Sequence, residues 1–183
     1  VSLTTSNHRL LVFPDGRYKS GVIDGRGTTI QGTHQQLKVP RDPYLYDPKT
    51  KKLVSILKGY SQQIDQAVFS PNGDYLALSD KLDEVRVYRS EDGEMHGKMK
   101  QARAGDYMFF NHDSSLLFAA RHLLDPGLWD VEHGDRIVKF EGLDSMMVGA
   151  WPHEDQSEIF ILSLKGSLHF FDAQTGELKS VLK

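Results

Sequence analysis

The stretch Val68–Leu78, VFSPNGDYLAL, breaks a strand-like apolar run with Ser-Pro-Asn-Gly and resumes it at once. Such a break is a hairpin. Pro71 presets φ to about −65° with no N–H left unpaired, and Asn72-Gly73 supplies left-handed backbone. The hairpin constrains the whole fold because it returns. Aligning the turn-flanked strands gives Phe69, Phe110 and Trp151, spaced 41 and 41 residues apart. Each unit then carries Val87-Tyr88, Leu128-Trp129-Asp130 or Phe170-Phe171-Asp172, with Gly93, Gly134 or Gly176 five residues after the aromatic. The same signature stands earlier at Tyr46-Asp47, with Lys51 in place of the glycine. Three landmarks that keep one period define a repeat.

Within a unit the pattern predicts four short strands, which in the first complete unit are 66–70, 75–79, 84–89 and 94–100. Val85 and Val87 alternate with Glu84, Arg86 and Tyr88, the period of two that a strand with one buried face shows. His112-Asp113-Ser114 and Pro152-His153-Glu154-Asp155 occupy the corresponding turn of the later units. No stretch carries helical periodicity, so the chain reads as all-β. Four-stranded antiparallel units of this length have the dimensions of β-propeller blades, which stack so that each covers its neighbour's face. The expected blades are 1–22 (partial), 23–57, 65–100, 106–140 and 147–182. That count of four to five blades reads as an incomplete ring belonging to a larger propeller, the alternative being a small complete ring, with the natural N-terminus expected upstream of Val1.

LKGYSQQIDQAVFSPNGDYLAL and LWDVEHGDRIVKFEG resemble the WD-repeat family, and Trp129-Asp130 is its naming dipeptide. The likeness covers about residues 44–183; propellers of bacterial periplasmic proteins share the F-S-P-[DN]-G hairpin. The resemblance implies a buried polar network built from a Gly-His pair, a hydroxyl, an Asp and the repeat Trp. Gly59-Tyr60 stands in the Gly-His place, Ser79 matches the hydroxyl, Asp83 and Asp125 match the Asp, and Tyr88 takes the Trp position. No unit holds the full set, so apolar packing is expected to carry these blades. The resemblance also implies a docking face made of the loops entering the first strand and those joining the second to the third. These loops hold Tyr60, Gln63, Lys81, Arg103, Arg121, His122 and Lys165.

Chemistry-bearing motifs are sparse. Gly25-Arg26-Gly27 lacks Walker spacing and a following helix, and reads as a turn. The eight histidines have no metal-ligand spacing, and His153-Glu154-Asp155 falls on the repeated turn. There is no G-x-S-x-G elbow for a serine nucleophile. With no cysteine, disulfides and thiolate metal sites are excluded. A net charge of −3 without a basic stripe argues against nucleic acid, and no apolar run reaches the roughly 18 residues of a spanning helix. The expected function is a non-catalytic scaffold without cofactor or metal, holding a protein or peptide partner in the cytoplasm. The alternative is a propeller attached to, or serving, a hydrolase or oxidoreductase whose active residues lie outside this chain.

Overall fold

The computed structural model describes residues 2–5, 9–13, 42–60, 64–80, 85–102, 107–121 and 124–183, with backbone alone at 2–5, 10, 12, 13, 124 and 125. Every regular element among them is a strand. Sheet I comprises β1 (Ser2–Thr5), β2 (Leu10–Phe13), β3 (Tyr44–Asp47) and β4 (Lys52–Ile56). Sheet II comprises β5 (Ile64–Phe69), β6 (Tyr75–Asp80), β7 (Val85–Arg89) and β8 (Met95–Lys98). Sheet III comprises β9 (Tyr107–Phe110), β10 (Leu116–Arg121), β11 (Leu124–Asp130) and β12 (Arg136–Lys139). Sheet IV comprises β13 (Met147–Pro152), β14 (Glu158–Ser163), β15 (Leu168–Asp172) and β16 (Leu178–Leu182). All four are antiparallel, with strands in chain order. No helix among the described residues is long and apolar enough to cross a membrane.

Sheet I corrects the expected division of residues 1–22 and 23–57 into two blades. Thr5 pairs with Leu10 and Leu10 with Tyr46, so both ends of this stretch belong to one sheet. Leu10–Phe13 is its second strand. A long connection, residues 14–43, separates β2 from β3 and breaks the period that marks the other units. Residues 14–41 lie outside the described residues.

Strand alternation sends each sheet's side chains to two faces, and consecutive sheets fill three apolar boundaries between them. Leu11, Leu45 and Leu57 of sheet I and its exit meet Phe69, Leu76, Leu78 and Tyr88 of sheet II. Val68, Ala77 and Val87 on the other face of sheet II meet Phe110, Leu117 and Trp129 of sheet III. Phe118, Leu128 and Val138 then meet Ile159, Ile161 and Phe171 of sheet IV, with Phe109 stacked on Phe118 at 4.6 Å between centroids. At about 25 cal/mol per Å² of apolar area removed from water, these boundaries are the main source of stability. They also account for the repeated aromatic: Tyr88 and Trp129 each face the preceding sheet.

The repeat register itself differs by one residue from the sequence alignment. Ser70 N–H donates to Tyr75 C=O (2.9 Å), Asn111 N–H to Leu116 C=O (3.0 Å) and His153 N–H to Glu158 C=O (2.8 Å), which marks equivalent hairpin positions. The counterpart of Phe69 and Phe110 is therefore Pro152, and Trp151 corresponds to Val68 and Phe109. Spacing within the units is constant, so the extra residue lies in the connection from β12 to β13. A shift of one residue turns a side chain to the other face. Trp151 accordingly does not enter the boundary with sheet III and is 47% exposed.

Glycine at the turn between third and fourth strands has two reasons. Gly134 has φ +69°, and a Cβ there would lie 2.3 Å from the carbonyl oxygen of Lys98 on β8. Gly176, at φ +75°, stands in the same relation to Lys139 of β12. The turn thus presses on the outermost strand of the preceding sheet. Left-handed backbone at the hairpin turn passes from Gly73 to Ser114 (φ 67°) and Gln156 (φ 63°), while Asn72 is not left-handed. Both substitutes reach back to the previous hairpin: Ser114 Oγ accepts Asn72 N–H at 3.2 Å and Gln156 Oε1 accepts His112 N–H at 3.1 Å. Between sheets I and II a different tie runs from Arg9, just before β2, to the third-to-fourth turn: Nε donates to Ser90 C=O at 2.6 Å.

Candidate functional site

These ties align the hairpins of successive sheets at one end of the stack. At the opposite end lie the loops entering each first strand and those joining second to third strands. Arg121 closes β10 and Lys165 sits in the β14–β15 turn, and both are exposed at this loop end. Lys165 is held in place: its Nζ donates to Asp144 C=O at 3.0 Å and its N–H to Ser145 Oγ at 3.2 Å. Tyr60 differs from the expectation. It is only 5% exposed, packed in the boundary of sheets I and II, because the chain turns inward at Leu57 and Ile64 on either side of it. Burial pushes its phenol well above the ordinary value. What it offers the loop end is its ring face, over which the Arg86 guanidinium lies at 4.4 Å while donating to Gly59 C=O at 2.9 Å. Gln63, Lys81, Arg103 and His122 lie outside the described residues, as does Asp83. Of Asp125 only the backbone is described.

Sequence reading missed a polar group beneath Lys165. Asp144 Oδ2 accepts the Ser167 hydroxyl at 2.8 Å, and Oδ1 lies 3.7 Å from Nε2 of His169, which is 1% exposed. The Ser163 and Ser167 hydroxyls that face Asp144, followed by the His169 ring, hold its carboxyl below the usual carboxylate range. The Ser145 hydroxyl also donates to Oδ1, at 3.3 Å, whereas buried Ser163 Oγ and His169 Nδ1 make no hydrogen bond. Serine, carboxylate and imidazole together bring nucleophilic catalysis to mind, but the order is wrong. A nucleophile hands its proton to the imidazole while the carboxylate orients the far side of the ring. Here the carboxylate lies between the other two, and Ser167 is buried. The group does what Arg86 does in sheet II, tying the entry loop to the third strand. One signal was available: Ser163, Ser167 and His169 all point to one face by strand alternation, which a scan for ligand spacing does not register.

Among the described residues no group of three or more His, Asp or Glu is placed to hold a metal ion. The remaining acid clusters serve turns. Asp155 accepts the Ser157 hydroxyl and N–H (2.6 and 2.9 Å) and meets His153 Nδ1 at 2.6 Å, which together hold its carboxyl far below its ordinary value. His153-Glu154-Asp155 is therefore a hairpin turn, as its place in the repeat implies. Leu124-Asp125-Pro126 falls within β11. The ladder shifts register between Ala119 and Arg121, and Pro126 sits at this break, where a missing N–H costs no ladder bond. No family model matches the chain.

Proposed function

We propose that the four sheets are blades of a WD-repeat-like β-propeller, and that the protein is a non-catalytic scaffold holding a protein or peptide partner on its loop end. The observation that carries this reading is the coupling of fold to surface. Three apolar boundaries fix the sheets, and the fixed sheets hold equivalent loops at one end with Arg121 and Lys165 exposed there. Rigid presentation lowers the entropic cost of docking. Arginine is also among the residues that dominate binding energy at interfaces. Paired and buried groups such as Tyr60 and His169 support the loops from below.

The test is capture of partners by the chain and by Arg103→Ala, Arg121→Ala and Lys165→Ala, with Arg89→Ala at the hairpin end as control. Loop-end variants are expected to lose a captured species that the Arg89 variant retains. Equal capture by all four overturns the docking face.

A further inference from the structure

Asn72-Gly73 is the one Asn-Gly pair in the sequence; the other asparagines, Asn7 and Asn111, precede histidine. Asparagine before glycine is chemically labile, because the glycine nitrogen can close a five-membered ring on the side-chain amide with no Cβ in its way. In the β5–β6 hairpin the groups that must react are occupied. Gly73 N–H donates to Ser70 C=O at 2.9 Å. Asn72 Oδ1 accepts the Ser70 hydroxyl at 2.7 Å and Asp74 N–H at 3.0 Å, and Nδ2 donates to Asp74 Oδ2 at 2.8 Å. Asn72 N–H is held from the next sheet by Ser114 Oγ, at 3.2 Å. Asn72 and Asp74 are exposed, so solvent reaches the hairpin and protection falls to these bonds.

The same position carries a carboxylate in the hairpins of sheets III and IV. Asp113 Oδ1 accepts the N–H and hydroxyl of Ser115 (2.9 and 2.6 Å), and Asp155 Oδ1 those of Ser157 (2.9 and 2.6 Å). Sheet II alone of the three sets an amide there, against the carboxylate of Asp74. Deamidation would put two carboxylates in contact where the neighbouring hairpins pair carboxylate with hydroxyl, and like charges so close are destabilising. We infer that Asn72 is a deamidation site governed by its hairpin. Closed, the turn withholds the amide and the attacking nitrogen; opened, it reacts, and the product loosens the joint between sheets II and III. The chemistry needs only base and water. The Gly73 nitrogen, its proton lost to base, bonds to Asn72 Cγ, and the bond from Cγ to Nδ2 breaks to release ammonia. Water then opens the imide. Cleavage at Cγ leaves aspartate; cleavage at the backbone carbonyl leaves isoaspartate, with one more carbon in the path of the turn. The inference concerns the hairpin end and is independent of the loop-end partner.

Peptide mapping at mildly alkaline pH separates the asparagine, aspartate and isoaspartate forms of the Asn72 peptide and follows the reaction. Each hydrogen bond shifts an equilibrium severalfold, so the folded chain should react about two orders of magnitude more slowly than the chain in urea. Ser114→Gly removes the tie from sheet III while relieving left-handed strain at φ 67°, and should speed the folded chain severalfold. Gly166→Ala, strained at a turn of sheet IV, should not. The consequence is read with Asn72→Asp. Repulsion raises the folded pKa of the new carboxylate pair, so its cost is present above that value and relieved as pH falls. This variant should melt below the parent at pH 7, with the gap closing towards about pH 4. Adding Asp74→Ser reproduces the pairing of Asp113 with Ser115 and should restore the melting temperature. Equal rates in folded and unfolded chains overturn the inference. So does acceleration by Gly166→Ala that matches or exceeds that by Ser114→Gly, because the reaction would then await unfolding of the whole chain. An Asn72→Asp variant as stable as the parent overturns the proposed consequence.

Discussion

At the scale of single residues, the repeat is enforced by what cannot be accommodated as much as by what packs. Gly134 and Gly166 separate the two costs a glycine can avoid. Gly166 has φ +87° with nothing within 4 Å of a built Cβ, whereas Gly134 has φ +69° and the Lys98 carbonyl oxygen 2.3 Å away. Left-handed backbone alone costs an alanine roughly 1–2 kcal/mol. Gly166→Ala should lose about that much in denaturant unfolding. Gly134→Ala should lose clearly more, because β8 must move. Equal losses would mean that the third-to-fourth turn does not press on the preceding sheet. The period of this glycine was legible in the sequence, and so was its replacement at Lys51, which takes φ 56°. Its second role was not, because close approach between sheets is a contact across the repeat and leaves no mark in local spacing.

At the scale of the element, the third-to-fourth turns of sheets I, III and IV share a carboxylate device. Asp47 accepts N–H groups of Lys49 and Thr50 at 2.8 and 3.1 Å, Asp130 that of His133 at 2.7 Å, and Asp172 those of Gln174 and Thr175 at 2.9 Å each. The leading causes are the N–H groups of Thr50, His133 and Thr175, and Lys179 adds to the last; all three carboxyls are held below their ordinary value. A carboxyl whose folded pKa is depressed adds stability that is complete above the unfolded value of about 3.9 and is lost as pH falls through the folded value. The melting temperature should therefore be flat near neutrality and decline below about pH 4. Asp172→Asn should melt below the parent at pH 7, with the gap closing towards pH 2; a gap independent of pH would reject the charge-assisted turn. Strand order and turn chemistry in sheets II to IV were readable because the period is local there. Sheet I was misread because its second and third strands are joined by a long connection. Trp151 was misplaced because one residue inserted before β13 moves the frame by one. The Asp144–His169 tie was missed because it joins a loop to a strand without a contiguous motif.

At the scale of the molecule, the apolar clusters among the described residues lie between consecutive sheets, so stability is a sum of sheets and boundaries rather than of one core. The first strands follow the same order, with β5 lying between β1 and β9. This arrangement makes the response to a boundary mutation directional. Phe118 is fully buried between sheets III and IV, against Phe109 at 4.6 Å and Phe140 at 5.9 Å. Phe118→Ala should cost about 3–5 kcal/mol at that boundary. In a linear stack the loss falls on sheet IV, whose apolar cluster among the described residues is shared with sheet III alone. Hydrogen exchange should then quicken across β13–β16 before β5–β8, whose two boundaries are untouched. In a closed ring sheet IV would keep a second neighbour, and exchange would rise evenly or not at all until the whole molecule unfolds.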